Sequence, residues 1–177
     1  RELASGLSCP VGFKNGTDGN LQIVFDAIKS GSGAHHFLSV TKNGNSAIFS
    51  TSGNMYCHTI LRGGSKKVNY DEESIEQVSA RLDKANLPQR IVVDCSHANS
   101  MKDHKKQLDV INDVAKQLSK GESRIRGLMI ESNLVEGNQN INDVKIIYGK
   151  RVTDSCIGWE DTEKSLSILS EAIEKRK

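Results

Sequence analysis

The stretch "IVVDCSHANSMKDHKKQLDVINDVAKQLSKGESRIRGLMIE", residues 91–131, contains a strand, a helix and a second strand in that order. Residues 91–95 form a nearly continuous hydrophobic run, and residues 125–130 form another. Between them, residues 103–118 show helical periodicity. The inner stripe of this helix comprises Leu108, Ile111, Ala115 and Leu118. Two strands joined by such a helix run side by side in one direction, so the stretch predicts a parallel sheet covered by helices.

The rest of the chain continues this alternation. Further helices are predicted over "RELASGLS", from Leu21 to Ile28 with Asp18 as N-cap, over residues 71–84, and from about Glu160 onward. Further strands are predicted over residues 9–13 and over "HHFLSV". A β-hairpin insertion is predicted over about residues 43–60, in which "NSAIFSTS" pairs with "CHTIL". We count four strand–helix units without a linker, and we predict a single domain over residues 1–177.

Two α/β architectures fit four such units. A (β/α)₈ TIM barrel needs about 250 residues, so this chain would supply half of one. A small open, doubly wound sheet is the alternative, but that fold usually carries a glycine-rich phosphate loop after its first strand. The sequence has neither a GxGxxG motif nor a Walker A motif. We therefore expect half of a TIM barrel, and the start within a helical pattern indicates a fragment.

Composition excludes several classes of function. Lys+Arg 24 against Asp+Glu 22 leaves a net charge of +2, so neither nucleic acid nor a membrane is expected as a partner. No signal peptide or membrane-length apolar run is visible, and we expect a cytoplasmic protein. The four cysteines are far apart and form no CxxC pair, which disfavours zinc ribbons and thioredoxin-like motifs. Reduced thiols are the expectation.

Four polar side chains follow the predicted strands. These are Lys14, Arg62, His97 and Glu131. Ligands bind at the carboxyl ends of parallel strands, so we expect these groups to converge. Taken singly, each has an ordinary explanation: a hydrogen-bonded loop histidine, a solvated or helix-capping glutamate, and surface cations. Their concurrence favours a site.

The chemistry of these groups indicates two kinds of ligand. Histidine with a carboxylate suits a divalent metal ion such as Mn, Fe, Co or Zn. Lysine with arginine suits a phosphate and a carboxylate, because arginine binds such groups in bidentate fashion. Nearby glycines allow the backbone to approach a phosphate closely, although turn geometry also explains them. We expect metal-assisted chemistry on a phosphorylated, anionic small molecule.

Several motifs resemble one family over the whole chain. "RELASGLSCPVGFKNGTDG", "CHTILRGG", "DCSHANS", "MIESNLVEGNQ" and "TDSCIGWEDT" are similar to the type I 3-deoxy-D-arabino-heptulosonate-7-phosphate (DAHP) synthases. The likeness covers about the second half of that family's chain. It implies the last four units of a TIM barrel, in an enzyme that condenses phosphoenolpyruvate with erythrose 4-phosphate. This reaction opens the shikimate pathway of aromatic amino acid biosynthesis.

The resemblance also implies roles for individual residues. His97, Glu131 and Asp154 match the family's metal ligands, and Lys14 and Arg62 match cations that bind phosphoenolpyruvate. Lys14 and His97 are implied as catalytic residues. The family's cysteine ligand lies in a Gly-Pro-Cys-Ser motif that is absent here, so the segment alone is expected to be inactive.

Regulation and partners follow from the same resemblance. Ser8, Phe37 and Ser39 fall where the family binds an aromatic amino acid effector, and Ser39 with "VTK" favours phenylalanine over tyrosine. The N-terminal half of the same enzyme and further copies in a homo-oligomer are the expected protein partners. Two alternatives stay open: a catalytically silent fragment that binds a phosphate ligand or an effector, and another metal-dependent barrel enzyme, such as a hydrolase or a related oxo-acid phosphate synthase.

Overall fold

The computed structural model describes residues 1–176 and contains a main sheet of four parallel strands. The strands of the chain are β1 (Val11–Lys14), β2 (His35–Val40), β3 (Ser46–Thr51), β4 (Cys57–Leu61), β5 (Ile91–Asp94) and β6 (Ile125–Met129). The helices are α1 (Glu2–Ser5), α2 (Gln22–Gly31), α3 (Glu72–Lys84), α4 (Gln107–Ser119) and α5 (Trp159–Glu174). The main sheet has the order β1-β4-β5-β6. The predicted α/β class with a parallel sheet is confirmed.

The core lies between the main sheet and helices α2, α3, α4 and α5. Each helix contributes its apolar stripe to one continuous cluster, which also holds the strand residues Leu61, Ile91 and Val93. All three of these strand side chains are fully buried. The helical periodicity found in the sequence arises here, because each helix covers the same layer with one face. No helix within residues 1–176 is long and apolar enough to cross a membrane.

The starts of two helices show how polar residues set their position. Asp71 caps α3 by accepting a hydrogen bond from Ser74 N at 2.9 Å. Asp18 does not cap α2, which begins only at Gln22. The Asp18 carboxylate instead accepts from Asn20 N at 2.9 Å, within the loop that precedes the helix. The predicted N-cap at Asp18 was therefore wrong, because this side chain closes a turn in the loop.

The β-hairpin differs from the prediction over residues 43–60. Strand β2, which is the "HHFLSV" stretch, pairs with β3 in antiparallel register, and together they form a separate two-stranded sheet. The "CHTIL" stretch is β4, which lies between β1 and β5 in the main sheet. Burial explains the difference: β4 is almost fully buried, as expected for a central parallel strand, whereas β2 alternates between half-buried and exposed residues.

The segment between β6 and α5 returns to the edge of the sheet. Isolated bridges pair Ser132 with Ile157, and Gly137 with Cys156. Ile157 N donates to Glu131 O at 3.0 Å, so the end of the segment lies against its beginning. These bridges place the residues around position 154 near the C-terminal end of β6.

Candidate metal and substrate site

The loops that follow the four strands of the main sheet lie together at one edge. The strands run parallel, and the pairs Lys14–Ile60, Leu61–Val93 and Asp94–Met129 place their ends at about one level. The residues predicted from strand ends therefore share this edge: Lys14, Arg62, His97 and Glu131. Sequence periodicity sufficed for this step, because a parallel sheet always brings its strand ends together.

Three of the predicted residues form a compact group of metal-ligating type. The ligand atoms of His97, Glu131 and Asp154 all lie within 4.8 Å of one another. His97 and Glu131 are half-buried, and Asp154 is exposed. They line a cavity of about 140 Å³ together with Ser96, Gln107 and other residues. One imidazole and two carboxylates are a donor set that suits a borderline divalent ion, so these residues fit the metal that was expected.

The electrostatics of this group also fit a cation. Burial raises the pKa of Glu131, and the nearby charge of Asp154 raises it further, while His97 and Arg151 partly oppose the shift. Two carboxylates that face each other in a half-buried cavity repel one another. A divalent ion between them would remove this repulsion, since it supplies the positive charge that the side chains lack.

Asp154 reaches the cavity through the bridged segment after β6. Cys156 N donates to Gly137 O at 3.2 Å, and Gly137 N donates back to Cys156 O at 2.9 Å. The neighbouring residue Ser155 contacts His104 Nδ1 through Oγ at 2.9 Å. Asp154 follows no strand, so strand-end reasoning alone did not find it, and only the family resemblance indicated it.

Asp94 is a residue of this site that the sequence reasoning missed. It is the last residue of β5 and is fully buried. Its Oδ2 lies 2.7 Å from Lys14 Nζ and 3.0 Å from His97 Nδ1. Asp94 thus contacts both a predicted substrate cation and a predicted metal ligand. A signal was present in the sequence, because an aspartate that ends the apolar run "IVVD" must find a partner when buried.

The Asp94 carboxyl is held in its ionised form. Burial alone raises its pKa, but hydrogen bonds from Lys14 and Ser96 and the charges of Lys14 and His97 outweigh burial, so that the pKa lies below its usual value. Ser96 contributes twice, through N at 3.0 Å and Oγ at 2.6 Å, both to Oδ1. Asp94 is therefore a buried anion whose two oxygens both accept hydrogen bonds, Oδ1 from Ser96 and Oδ2 from Lys14.

Three asparagines connect the loops of the site. They are Asn15, Asn69 and Asn99, and all three are buried. Asn69 Nδ2 donates to Asn15 Oδ1 at 3.2 Å, and Asn69 N donates to Asn99 Oδ1 at 2.9 Å. Asn15 Oδ1 also accepts from the backbone N of Arg62 at 2.9 Å. The loops that carry Lys14, Arg62 and His97 are therefore tied to one another by side-chain amides.

The loop that carries His97 has an unusual backbone. His97 has a φ of 56°, in the left-handed region that few non-glycine residues occupy. Lys102 N donates to His97 O at 2.7 Å, and Ala98 N donates to Arg62 O at 3.2 Å. Hydrogen bonds on both sides stabilise this conformation, which is typical of residues held for function.

The predicted effector residues lie away from the metal cluster. Phe37 stacks on Phe49 across the hairpin, with ring centroids 6.2 Å apart. Ser39 pairs with Ala47 on the same strands. Ser8 lines a separate cavity whose other described lining residues come from α1, the loop after it, β3 and the loop after β3. Within residues 1–176, Phe37 and Ser39 do not line that cavity, so the three predicted residues are near the hairpin but do not share one pocket.

The cysteines contribute no ligand to the metal cluster within the described part of the chain. All four are free thiols; Cys57, Cys95 and Cys156 are buried and Cys9 is exposed. Burial raises the pKa of the Cys156 thiol, although Cys156 is only two residues from Asp154. A high thiol pKa disfavours the thiolate form that binds metals.

Comparison with known proteins agrees with the geometry. Residues 1–167 match the model of the DAHP synthetase I family. The chain is 54% identical to the Phe-sensitive phospho-2-dehydro-3-deoxyheptonate aldolase of Escherichia coli strain K12, over 100% of this chain and 51% of that protein. It is 48% identical to the tyrosine-inhibited phospho-2-dehydro-3-deoxyheptonate aldolase of Candida albicans, over 100% of this chain and 50% of that protein.

A solved structure extends this similarity to three dimensions. It is the phospho-2-dehydro-3-deoxyheptonate aldolase of Francisella tularensis SCHU S4, with a TM-score of 0.94 and 49% identity, covering 99% of this chain and 51% of that one. The chain spans about half the length of the curated relatives it matches. Together with the match over residues 1–167, these similarities show that the chain belongs to the DAHP synthetase I family.

Proposed function

We propose that the complete protein is a DAHP synthase, which condenses phosphoenolpyruvate with erythrose 4-phosphate to give DAHP and inorganic phosphate. The observation that carries this proposal is the cluster of His97, Glu131 and Asp154, with Lys14 linked to it through Asp94. This arrangement offers a divalent-metal site beside a cation suited to a phosphate or carboxylate. The names of the similar proteins indicate the same reaction. The cluster of side chains adds a chemical reason for it, because it supplies metal ligands beside a substrate-binding cation.

The segment is proposed to form the last four units of a (β/α)₈ barrel. Two features support this. Helices α2 to α5 share one core cluster on one side of the sheet, whereas an open doubly wound sheet carries helices on both faces. Side chains also pack closely on the other face, since a Cβ on Gly12 would meet the side chains of Ile60 and His58, as expected for the filled interior of a barrel. Strands β1 and β6 form the outer edges of the sheet, where the N-terminal half would pair.

The proposed roles of the residues follow from their charge and position. Lys14 and Arg62 bind the phosphate and carboxylate of phosphoenolpyruvate, so that its C3 faces the aldehyde of the second substrate. His97, Glu131 and Asp154 hold a divalent ion, which could be Mn, Fe, Co or Zn. When bound, this ion polarises the aldehyde as a Lewis acid. Carbon–carbon bond formation leaves cationic character at C2, where water adds before phosphate leaves.

His97 and Glu131 are also proposed to take part in proton transfer. Both are half-buried and line the same cavity. Burial and the charge of Asp154 raise the pKa of the Glu131 carboxyl, so it holds a proton more readily than an ordinary glutamate. We assign catalysis to Lys14 and His97, because both would touch the reacting groups.

An aromatic amino acid is the proposed effector, and phenylalanine is favoured. The hairpin that carries Phe37 and Ser39 supports this, since it adds a stacked aromatic pair and its strand β3 lines the same cavity as Ser8, outside the metal cluster. The relatives named above include one called Phe-sensitive and one called tyrosine-inhibited, so similarity alone does not select the effector. The complete protein is proposed to work in the cytoplasm as a homo-oligomer, without a nucleic acid or membrane partner.

A second candidate is a catalytically silent fragment that binds a phosphate ligand or an effector. It is favoured by one observation: within residues 1–176 the metal group has three ligands and no thiol. The complete protein and this segment should be assayed for phosphate release with both substrates, with and without a chelator. We expect release from the complete protein only, in the presence of both substrates and metal. Absence of release from the metal-loaded complete protein would contradict the proposed reaction.

A further inference from the structure

His97 Nδ1 has two oxygen atoms as close neighbours. It lies 3.0 Å from Asp94 Oδ2 and 2.7 Å from Ser96 Oγ. A ring nitrogen can donate a proton to such neighbours or accept one from them, and the tautomer decides which. The surrounding hydrogen bonds leave only one consistent choice.

The choice follows from counting protons around Asp94. Its Oδ1 accepts from Ser96 N and from Ser96 Oγ, the latter at 2.6 Å. Its Oδ2 accepts from Lys14 Nζ at 2.7 Å. Because the carboxylate is fully buried beside an ammonium group, it carries no proton of its own to donate. Ser96 has a single hydroxyl proton, and it donates this proton in the hydrogen bond to Asp94 Oδ1.

Neither neighbour of His97 Nδ1 therefore has a proton to give. The Ser96 hydroxyl is already engaged as a donor, and Asp94 Oδ2 is an acceptor only. An unprotonated Nδ1 would place its lone pair against two acceptor oxygens at hydrogen-bond distance. A protonated Nδ1 donates to Ser96 Oγ, which in turn donates to Asp94, and it also lies 3.0 Å from the Asp94 carboxylate in a favourable electrostatic contact.

We infer that Asp94 is a positioning residue that holds His97 in the Nδ1–H tautomer, so that Nε2 is the atom presented to the metal ion. This inference rests on the metal site of the proposed function. A carboxylate behind a metal-ligating histidine fixes the ring orientation and increases the basicity of the ligand nitrogen. Asp94 acts through His97 and is not itself a ligand.

Asp94 also couples the metal ligand to the substrate cation. The same oxygen, Oδ2, accepts a hydrogen bond from Lys14 Nζ and lies 3.0 Å from His97 Nδ1. The orientation of the imidazole and the position of the ammonium group are therefore set together. A change in this one carboxylate should disturb metal binding and phosphoenolpyruvate binding at once.

The variant Asp94→Asn tests this with little change in shape. An asparagine has one accepting end, whereas Oδ1 and Oδ2 each face donors. Whichever way the amide turns, its NH₂ group meets a donor. The matched control is Asp109→Asn, which removes the same charge from an exposed position on α4.

The experiment uses the complete enzyme and Mn²⁺ as the probe. The Mn²⁺ dissociation constant is measured by chelator competition, and the His97 ring nitrogens are observed by ¹⁵N NMR after selective histidine labelling, with His97→Asn to assign the signals. We expect Asp94→Asn to weaken Mn²⁺ binding about 10- to 100-fold, and to shift the His97 ring nitrogens, while Asp109→Asn changes neither. An increase in the KM for phosphoenolpyruvate is expected in Asp94→Asn as well.

The results separate this inference from the proposed reaction. An unchanged Mn²⁺ dissociation constant and unchanged ring nitrogens in Asp94→Asn would overturn the positioning role, even if turnover fell. A failure of the wild type to release phosphate would contradict the reaction but not the tautomer. If Asp94→Asn does not fold, the wild-type spectrum decides, since a protonated Nε2 and a bare Nδ1 would overturn the inference.

Discussion

Asn69 and Asn15 are joined by a hydrogen bond from Nδ2 to Oδ1 at 3.2 Å, although 54 residues separate them in the chain. Asn15 Nδ2 in turn donates to Gly63 O and to Gly16 O, each at 2.8 Å. The Asn15 side chain is thus fully hydrogen-bonded and buried. Such an amide links loops from different strands, and removing it leaves several buried groups without partners.

Replacing Asn15 by alanine should therefore destabilise the complete enzyme by about 2 kcal/mol, since buried donors and acceptors lose their partners. The free energy of unfolding is measured by denaturant titration. The control is Asn43→Ala in the hairpin turn, where the side chain is exposed, and it should change stability by less than about 0.5 kcal/mol. Equal effects of the two variants would show that the amide contacts do not stabilise the loops.

Gly63 offers a test of how tightly two loops are packed. It has a φ of 75°, and a Cβ there would lie 2.7 Å from Asn99 N and 2.8 Å from Ala98 C. Gly44 has a similar φ of 81°, but no atom lies within 4 Å of its Cβ position. Gly63→Ala and Gly44→Ala therefore share the backbone strain, which is about 1 kcal/mol, and differ in the clash.

We expect Gly44→Ala to lower stability by that strain alone and Gly63→Ala to lower it at least twice as much, with weaker binding of phosphoenolpyruvate. Thermal unfolding of the complete enzyme and the KM for phosphoenolpyruvate check this. Similar thermal shifts in both variants would mean that the loop of Asn99 moves away easily.

Much of the fold could be predicted from periodicity. The stripe of α4 and the apolar runs of β5 and β6 indicated a parallel sheet, because helix and strand periods differ clearly in segments of this length. The hairpin was placed wrongly, since "HHFLSV" and "CHTIL" are both short and apolar. Only burial on both faces distinguishes the central strand β4 from the half-exposed strand β2.

The residues of the site also fall into those that the sequence predicts and those that it does not. His97 and Glu131 follow strands, so the sheet geometry alone predicted that they meet. Asp154 lies in an irregular segment whose path depends on single bridges, which no periodic pattern encodes. Asp94 was overlooked because its role depends on contacts with Lys14, 80 residues away in the sequence. The aspartate at the end of the apolar run indicated that a partner is needed, but no local pattern indicates which distant residue supplies it.

The pair of Glu122 and Arg124 predicts a pH dependence of stability away from the site. Hydrogen bonds from the Arg124 side chain lower the pKa of Glu122 in spite of its burial. Arg124 Nη2 lies 2.6 Å from Glu122 Oε2, and Arg124 Nη1 lies 2.6 Å from Glu76 Oε2 on α3. A carboxyl whose pKa is lower in the folded state adds stability above its unfolded pKa and loses it as the pH falls through the folded value.

Glu122→Gln should therefore reduce the free energy of unfolding by about 1 kcal/mol at neutral pH. The difference from the wild type should vanish at a pH below the lowered pKa, where both side chains are neutral. Unfolding curves at several pH values measure this, with the exposed Glu163→Gln as the control. A difference that stays constant with pH would contradict the assignment to ionised Glu122.

Binding of a divalent ion to the cluster should be visible as stabilisation, independently of turnover. A ligand that binds only the folded state adds about 2.7 kcal/mol at 100 times its dissociation constant. We expect Mn²⁺ to raise the Tm of the chelator-treated complete enzyme by several degrees, and His97→Ala to abolish this rise because one of the three ligands is lost. The control is His36→Ala on the hairpin, an exposed histidine outside the cluster, which should retain the full rise. A rise that persists in His97→Ala would place the metal elsewhere.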